Sequence, residues 1–158
     1  MKVSFGEQLP SIFTTLFRED YAKSVRLAHL LTGSNSVAED LVQEAFARLH
    51  RHRGPIDNPG AYLRCTVVNV CRSWHRDRTR EHARLVRHGL PPAVLSNDAL
   101  ELLDALRRLS YRQRSVIVLR YWLDLSEAEI ADTLGCRPGT VKSLHTRAIE
   151  HLRKERPT

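Results

Sequence analysis

From Leu125 to Arg153 the chain reads LSEAEIADTLGCRPGTVKSLHTRAIEHLR, and this run admits very few backbone courses. Ser126 and Glu129 have the spacing of a capping box, in which the hydroxyl and the carboxylate each take a free backbone N–H at a helix start. Ile130, Ala131 and Leu134 give the short helix that follows an apolar face. Gly135 suits the positive φ of a sharp turn, and Pro138 stands at a first helical position, where its missing N–H costs nothing. Val141, Leu144, Ala148 and Leu152 then recur at steps of three and four, predicting a second helix to about Lys154. Ala131 is small where the two helices must cross closely. The run predicts a helix-turn-helix.

The remainder is punctuated in the same way. Phe13, Phe17, Tyr21, Val25 and Ala28 share one helical face over residues 11–31, and Gly33 suits a left-handed helix end. Ser36 and Glu39 read as a second capping box, opening a helix to about Arg51 with Ala38, Leu41, Val42, Ala45 and Leu49 inside. Gly54-Pro55 breaks it. Asn58-Pro59 is a cap followed by a first-position proline, and Leu63, Val67, Val70 and Trp74 carry a helix to about Arg80. Trp74 continues the apolar stripe and is expected in the core.

Residues 82–97 lose periodicity and gather Gly89, Pro91, Pro92, Ser96 and Asn97, the composition of a linker with some helix at its start. Leu102, Leu103, Leu106 and Leu109 then resume a helix. A break at Ser110 or Tyr111 precedes another helix with Val116, Ile117, Leu119 and Tyr121 on its stripe. Strand-like alternation and internal repeats are both missing. The expected fold is all-α: two small helical domains, 1–81 and 98–158, joined by a short linker, the C-terminal one a helix-turn-helix.

Charge bears on partners rather than on fold. The formal net charge is +7, and residues 55–90 contribute most of the surplus, with seven Arg against three acids. Arg72, Arg76 and Arg80 recur every four residues on a face away from the apolar stripe, with Asn69 and Ser73 beside them; such a row suits phosphates. In a helix-turn-helix the second helix enters the major groove. Its exposed N-terminal residues here are Arg137, Gly139, Thr140, Lys142, Ser143, His145, Thr146 and Arg147, with the cations, hydroxyls and free amides that phosphates and base edges require. A bare helical hairpin with solvated charges is the competing reading, but it leaves the conjunction of cap, small residue, turn and basic second helix unexplained.

Other classes are poorly supported. Cys65, Cys71 and Cys136 are odd in number, widely spaced and without a CxxC, which argues against a disulfide framework or a zinc site. Eight His residues invite an enzymatic reading, yet no HExxH, Gly-rich phosphate loop or GxSxG elbow is present. Asp40 and Glu44 form a carboxylate pair with no third ligand nearby in sequence. No metal and no cofactor are expected. No apolar run approaches the roughly 18 residues of a membrane span, and MKVSFGEQLPSIF lacks the apolar core of a signal peptide. A cytoplasmic protein without membrane insertion is expected.

Three segments together resemble one family. EIADTLGCRPGTVKSLHTRAIEHLR resembles the promoter-reading helix-turn-helix of bacterial sigma factors of the extracytoplasmic-function group. AEDLVQEAFARLHRH resembles that group's core-polymerase-binding helix, and NPGAYLRCTVVNVCRSWHRDR its helix for reading and opening the minus-ten element. The order and spacing also match, over roughly residues 11–80 and 97–155. The resemblance implies no catalytic activity, with core RNA polymerase, promoter DNA and an anti-sigma factor as partners. It implies that Asp40, Gln43, Glu44 and Phe46 dock on the polymerase's largest subunit. Asn69, Arg72, Ser73, Arg76 and Arg80 are implied at the minus-ten DNA, and the second helix of the helix-turn-helix at the minus-thirty-five DNA. Arg137 departs from the pattern, since a side-chain cap usually precedes the Gly-Thr-Val-Lys run. The alternative is a stand-alone helix-turn-helix regulator, which leaves the first seventy residues without a role.

Overall fold

The computed structural model describes the backbone over residues 5–87 and 99–155, and side chains over 12–81 and 101–155. Seven helices occupy the described residues: α1 (Phe5–Thr32), α2 (Asn35–Arg51), α3 (Pro59–Arg87), α4 (Ala99–Arg108), α5 (Tyr111–Tyr121), α6 (Glu127–Leu134) and α7 (Pro138–Lys154). The expected all-α fold is the observed one, with α1–α3 in one unit and α4–α7 in the other. Of the expected linker, residues 82–87 continue α3, and 88–97 lie outside the described residues.

The first unit packs Leu27, Leu31, Val42, Ala45, Leu49, Leu63 and Val67 into a three-helix core, each at most 3% exposed. α1 begins before the expected residue 11, and its end is the predicted one. Gly33 adopts φ 78°, and its N–H donates to the His29 carbonyl at 2.7 Å. The cap of α2 needs correcting. Ser34, not Ser36, sits in the extended conformation and accepts from the Val37 N–H. After a left-handed residue the chain re-enters a helix within one residue, so Ser36 already lies inside the first turn. Asn58 caps α3 as expected, its Oδ1 accepting from the Ala61 N–H at 3.0 Å.

In the second unit Ser110 is the break, and it is a full capping box with Gln113. Ser126 and Glu129 form the predicted box, and Gly135 takes the left-handed conformation at φ 63°. Arg137 precedes α7 without a side-chain cap, and Pro138 opens the helix. Ile130, Ala131, Val141 and Ala148 are buried where α5, α6 and α7 meet. Tyr121 departs from its expected stripe: it closes α5 beyond the packed region and is 62% exposed.

The two units share one hydrophobic cluster. Val68 and Cys71 are buried on α3 in addition to the predicted stripe, because α5 covers a second side of that helix. Burial pushes the Cys71 thiol up to about 12, so it stays protonated and inert. Arg114 is 3% exposed. Its guanidinium donates to the carbonyls of Leu106 at 2.7 Å, Arg107 at 3.2 Å and Leu109 at 3.2 Å, at the end of α4, and of Leu31 at 2.6 Å, at the end of α1. Helix C-termini leave carbonyls unpaired and carry partial negative charge, so one buried cation serves two helix ends.

Gly33 also lies close against the second unit, its carbonyl accepting from Arg107 at 2.9 Å. A Cβ there would lie 2.7 Å from the Arg107 Nε. Gly33→Ala therefore combines a left-handed alanine with a displaced arginine. Thermal unfolding should show a loss of roughly 1–2 kcal/mol, seen as a drop of several degrees in Tm.

Candidate nucleic-acid interface

Three helices present polar surfaces outside the core. On α2 the apolar stripe faces α1 and α3, which turns Asp40 and Gln43 to solvent. Glu44 lies between them and the basic end of the helix, accepting from Arg48 at 2.9 Å and from Arg51 at 3.5 Å. The Arg48 hydrogen bond, helped by both guanidinium charges, holds its carboxyl below the usual range. Phe46, expected beside these residues, points the other way. It is 3% exposed, and its ring meets those of Phe13, Phe17 and Tyr21 at 5.8, 5.4 and 5.8 Å. It supports α2 from beneath and offers no surface to a partner.

On α3 the expected row is in place. Asn69, Arg72, Arg76 and Arg80 are exposed and Ser73 is half-buried beside them. The Arg72 guanidinium donates to the Asn69 Oδ1 at 2.7 Å, which orients the amide and leaves its NH2 for a ligand. Trp74 does not join the core. It is half-buried, with the Arg78 guanidinium 5.2 Å from its ring centroid. The continued spacing from Val70 misplaces it because, among the described residues, the neighbouring helices leave the ring half-exposed there. A cation stacked on a flat ring is a surface that an unpaired base can use.

On α7 the apolar residues face α5 and α6, and Arg137, Gly139, Lys142, Ser143, Thr146 and Arg147 are exposed. Thr140 and His145 are half-buried. The Ser143 hydroxyl donates to the Gly139 carbonyl at 3.1 Å. Lys142 lies 3.9 Å from Glu127, too loose a pair to withhold it from phosphate. His145 has a partner that the sequence does not reveal, the Tyr121 hydroxyl, at 2.8 Å from its Nε2. Burial, with Arg120 nearby, lowers the His145 pKa, which favours the neutral, hydrogen-bonding ring. The spacing from Ile117 to Tyr121 points to packing and gives no sign of this contact.

A groove of about 500 Å³ lies between the units, lined by Arg26, Leu30, Leu102, Ile117, Tyr121 and Trp122. Leu102 and Trp122 are 60% and 44% exposed. Among the described residues no cluster of His, Cys, Asp and Glu is placed to hold a metal ion, and no helix is long and apolar enough to cross a membrane.

The chain matches two families, Sigma-70 region 2 over residues 16–81 and Sigma-70 region 4 over residues 99–152. It is 36% identical over 152 residues to the RNA polymerase sigma-E factor of Streptomyces coelicolor, covering 87% of this chain and 84% of that one. It is 32% identical over 155 residues to the ECF RNA polymerase sigma factor SigL of Mycobacterium tuberculosis, covering 90% and 88%. Among solved structures, the sigma factor RpoE of Bartonella quintana, in complex with the anti-sigma factor NepR, superposes with a TM-score of 0.71 at 27% identity over 91% of this chain and 96% of that one.

Proposed function

The chain belongs to the sigma-70 family, in its extracytoplasmic-function group, and from that premise we propose how its surfaces divide the work of an alternative sigma factor. Such a factor directs core RNA polymerase to specific promoters and helps to open them. The residues 1–81 unit binds core polymerase through Asp40, Gln43 and Glu44, with Phe46 holding the helix from below. It binds minus-ten DNA through Asn69, Arg72, Ser73, Arg76 and Arg80. The 98–158 unit reads the minus-thirty-five element with the exposed start of α7. The observation that carries this reading is the exposure of three separate polar faces on α2, α3 and α7, in that chain order, each backed by an apolar face in the core.

The protein lends specificity to an enzyme and is itself no catalyst in this reading. It works in the cytoplasm, where polymerase and DNA are. An anti-sigma factor is its expected regulator, by likeness to the relative solved with NepR, and the groove beside Trp122 is the surface best suited to receive an apolar helix face.

Gel shift on duplex DNA, with and without core polymerase, tests the reading against a stand-alone regulator. Weak binding by the free protein and tight, sequence-selective binding with core polymerase are expected. Tight binding by the free protein as a dimer would favour the regulator. In the polymerase complex, Lys142→Ala/Arg147→Ala should weaken promoter binding by about tenfold or more at ~0.15 M salt. It should also flatten the plot of log K against log salt by about one unit for each phosphate that is no longer neutralised.

A further inference from the structure

Tyr121 is the aromatic residue of α5 for which the core has no use. It is 62% exposed, whereas Val116, Val118 and Leu119 on the same helix are at most 3% exposed. Its hydroxyl lies 2.8 Å from the Nε2 of His145 on α7, and the two ring centroids are 5.8 Å apart with their planes 32° from parallel. The second unit does not need this contact to hold together. Leu119, Val141 and Ala148, at most 1% exposed, already pack α5 and α7 into its core. A contact at an exposed position adds little to a fold.

The contact does fix His145. That residue stands in the first half of α7, three residues after Lys142 and one before Thr146, both exposed, and is itself half-buried. It lies at the edge between the apolar stripe and the face given to DNA in the sigma-factor reading, on which this inference rests. In a helix-turn-helix the early residues of the second helix meet base edges. A side chain discriminates there only when neighbours hold its rotamer. The pairing also sets the ring's polarity. A phenol is a much stronger acid than a neutral imidazole N–H, and an imidazole nitrogen is a much stronger base than a phenol oxygen, so the Tyr121 O–H donates to Nε2. Burial of His145, with Arg120 nearby, favours the neutral ring that this pairing requires. Nδ1 then carries the ring's proton, and no described residue pairs with it.

We propose that Tyr121 is a positioning residue for promoter recognition: its hydroxyl holds the His145 ring in one orientation and one tautomer, leaving the Nδ1–H as a donor to a base-edge acceptor in the major groove. That donor suits guanine O6 or N7, adenine N7 and thymine O4. Cytosine offers only its amino donor there, so the base under His145 is selected against cytosine. Phenylalanine at position 121 keeps the ring and loses the hydroxyl. His145 then takes either tautomer, and Nδ1 as an acceptor receives the cytosine amino group.

The test selects sequences from a randomised pool of duplex DNA, using the full chain both with core RNA polymerase and alone. Wild type is set beside Tyr121→Phe, His145→Ala and the double variant. Tyr121→Phe should keep Tm within about 2 °C of wild type. It should relax discrimination against cytosine by about three- to tenfold at one base pair, the pair whose preference His145→Ala also changes. The double variant should match His145→Ala alone, because Tyr121 acts through that ring. A mere staple between helices would instead lower Tm and weaken binding evenly across all sequences. That result, an unchanged preference in Tyr121→Phe, or effects that add in the double variant would overturn the proposal. The two arms keep the proposal and the sigma-factor reading apart. Selection that needs polymerase but is unaltered by Tyr121→Phe removes the positioning role and leaves the sigma factor intact. Selection by the free chain without help from polymerase, relaxed by Tyr121→Phe, sustains the role and removes the sigma factor. No selection in either arm removes both.

Discussion

Asp40→Ala/Gln43→Ala is expected to weaken binding to core RNA polymerase by on the order of 100-fold, the effect of removing two central polar groups from a protein interface. The expectation comes from the construction of α2. Ala38, Val42, Ala45 and Leu49 are at most 1% exposed and hold the helix against α1 and α3, so Asp40 and Gln43 contribute nothing to that core. Their removal should leave Tm within about 2 °C of wild type, as is usual for exposed positions free of special contacts. Isothermal titration beside a thermal melt separates impaired binding from impaired folding. Glu44→Ala is a weaker test, because Glu44 also ties Arg48 and Arg51 to the helix surface. Phe46→Ala would confuse the two effects altogether, since it removes a buried ring that packs against three others.

Arg114→Ala should cost about 3 kcal/mol, lowering Tm by roughly 6–12 °C for a chain of this size. The guanidinium is the donor for four carbonyls, three at the end of α4 and one at the end of α1. Alanine leaves buried acceptors unpaired and opens a cavity at the junction of the two units. Arg114→Lys restores the charge but not the planar fork, and an ammonium cannot reach acceptors on two helices at once, so recovery should be partial. Burial lowers the Arg114 pKa, yet a guanidinium keeps its proton at every pH at which the fold survives, so the destabilisation should be independent of pH across the neutral range.

The features that sequence reasoning reaches are those encoded locally. The helix-turn-helix is legible because Ser126, Glu129, Gly135 and Pro138 each specify a backbone conformation within four residues of themselves. The exposed faces of α2, α3 and α7 are legible as whatever the apolar stripes leave outside. The capping box of Ser110 and Gln113 has the same spacing as the one at Ser126, and it settles a break that the leucine stripe ending at Leu109 leaves open between Ser110 and Tyr111. The Ser-x-x-Glu pattern favours Ser36 over Ser34 because it ignores how abruptly Gly33 reverses the chain. Trp74 is misplaced because periodicity records which residues share a face but not how fully the neighbouring helices cover it.

Contacts between the units have no local signature. Arg114 reaches Leu31 across 83 residues and Tyr111 reaches Val68 across 43, and both bind carbonyls, which every residue possesses. A charged residue inside the stripe of Val116 and Leu119 gives no hint of four distant acceptors. The Tyr121–His145 bond is hidden for the same reason. What separates these from the caps is sequence distance, and it conceals the relation between the two halves while leaving each half readable.

The most direct measurement is run-off transcription from a pool of promoter templates with purified core RNA polymerase, alone and with this protein. The account predicts transcripts that depend on the added protein and start at fixed sites, from templates sharing one element near minus ten and another near minus thirty-five. Asp40→Ala/Gln43→Ala should abolish these transcripts. No transcription above that of core polymerase alone, from a folded protein that binds duplex DNA tightly by itself, would contradict it.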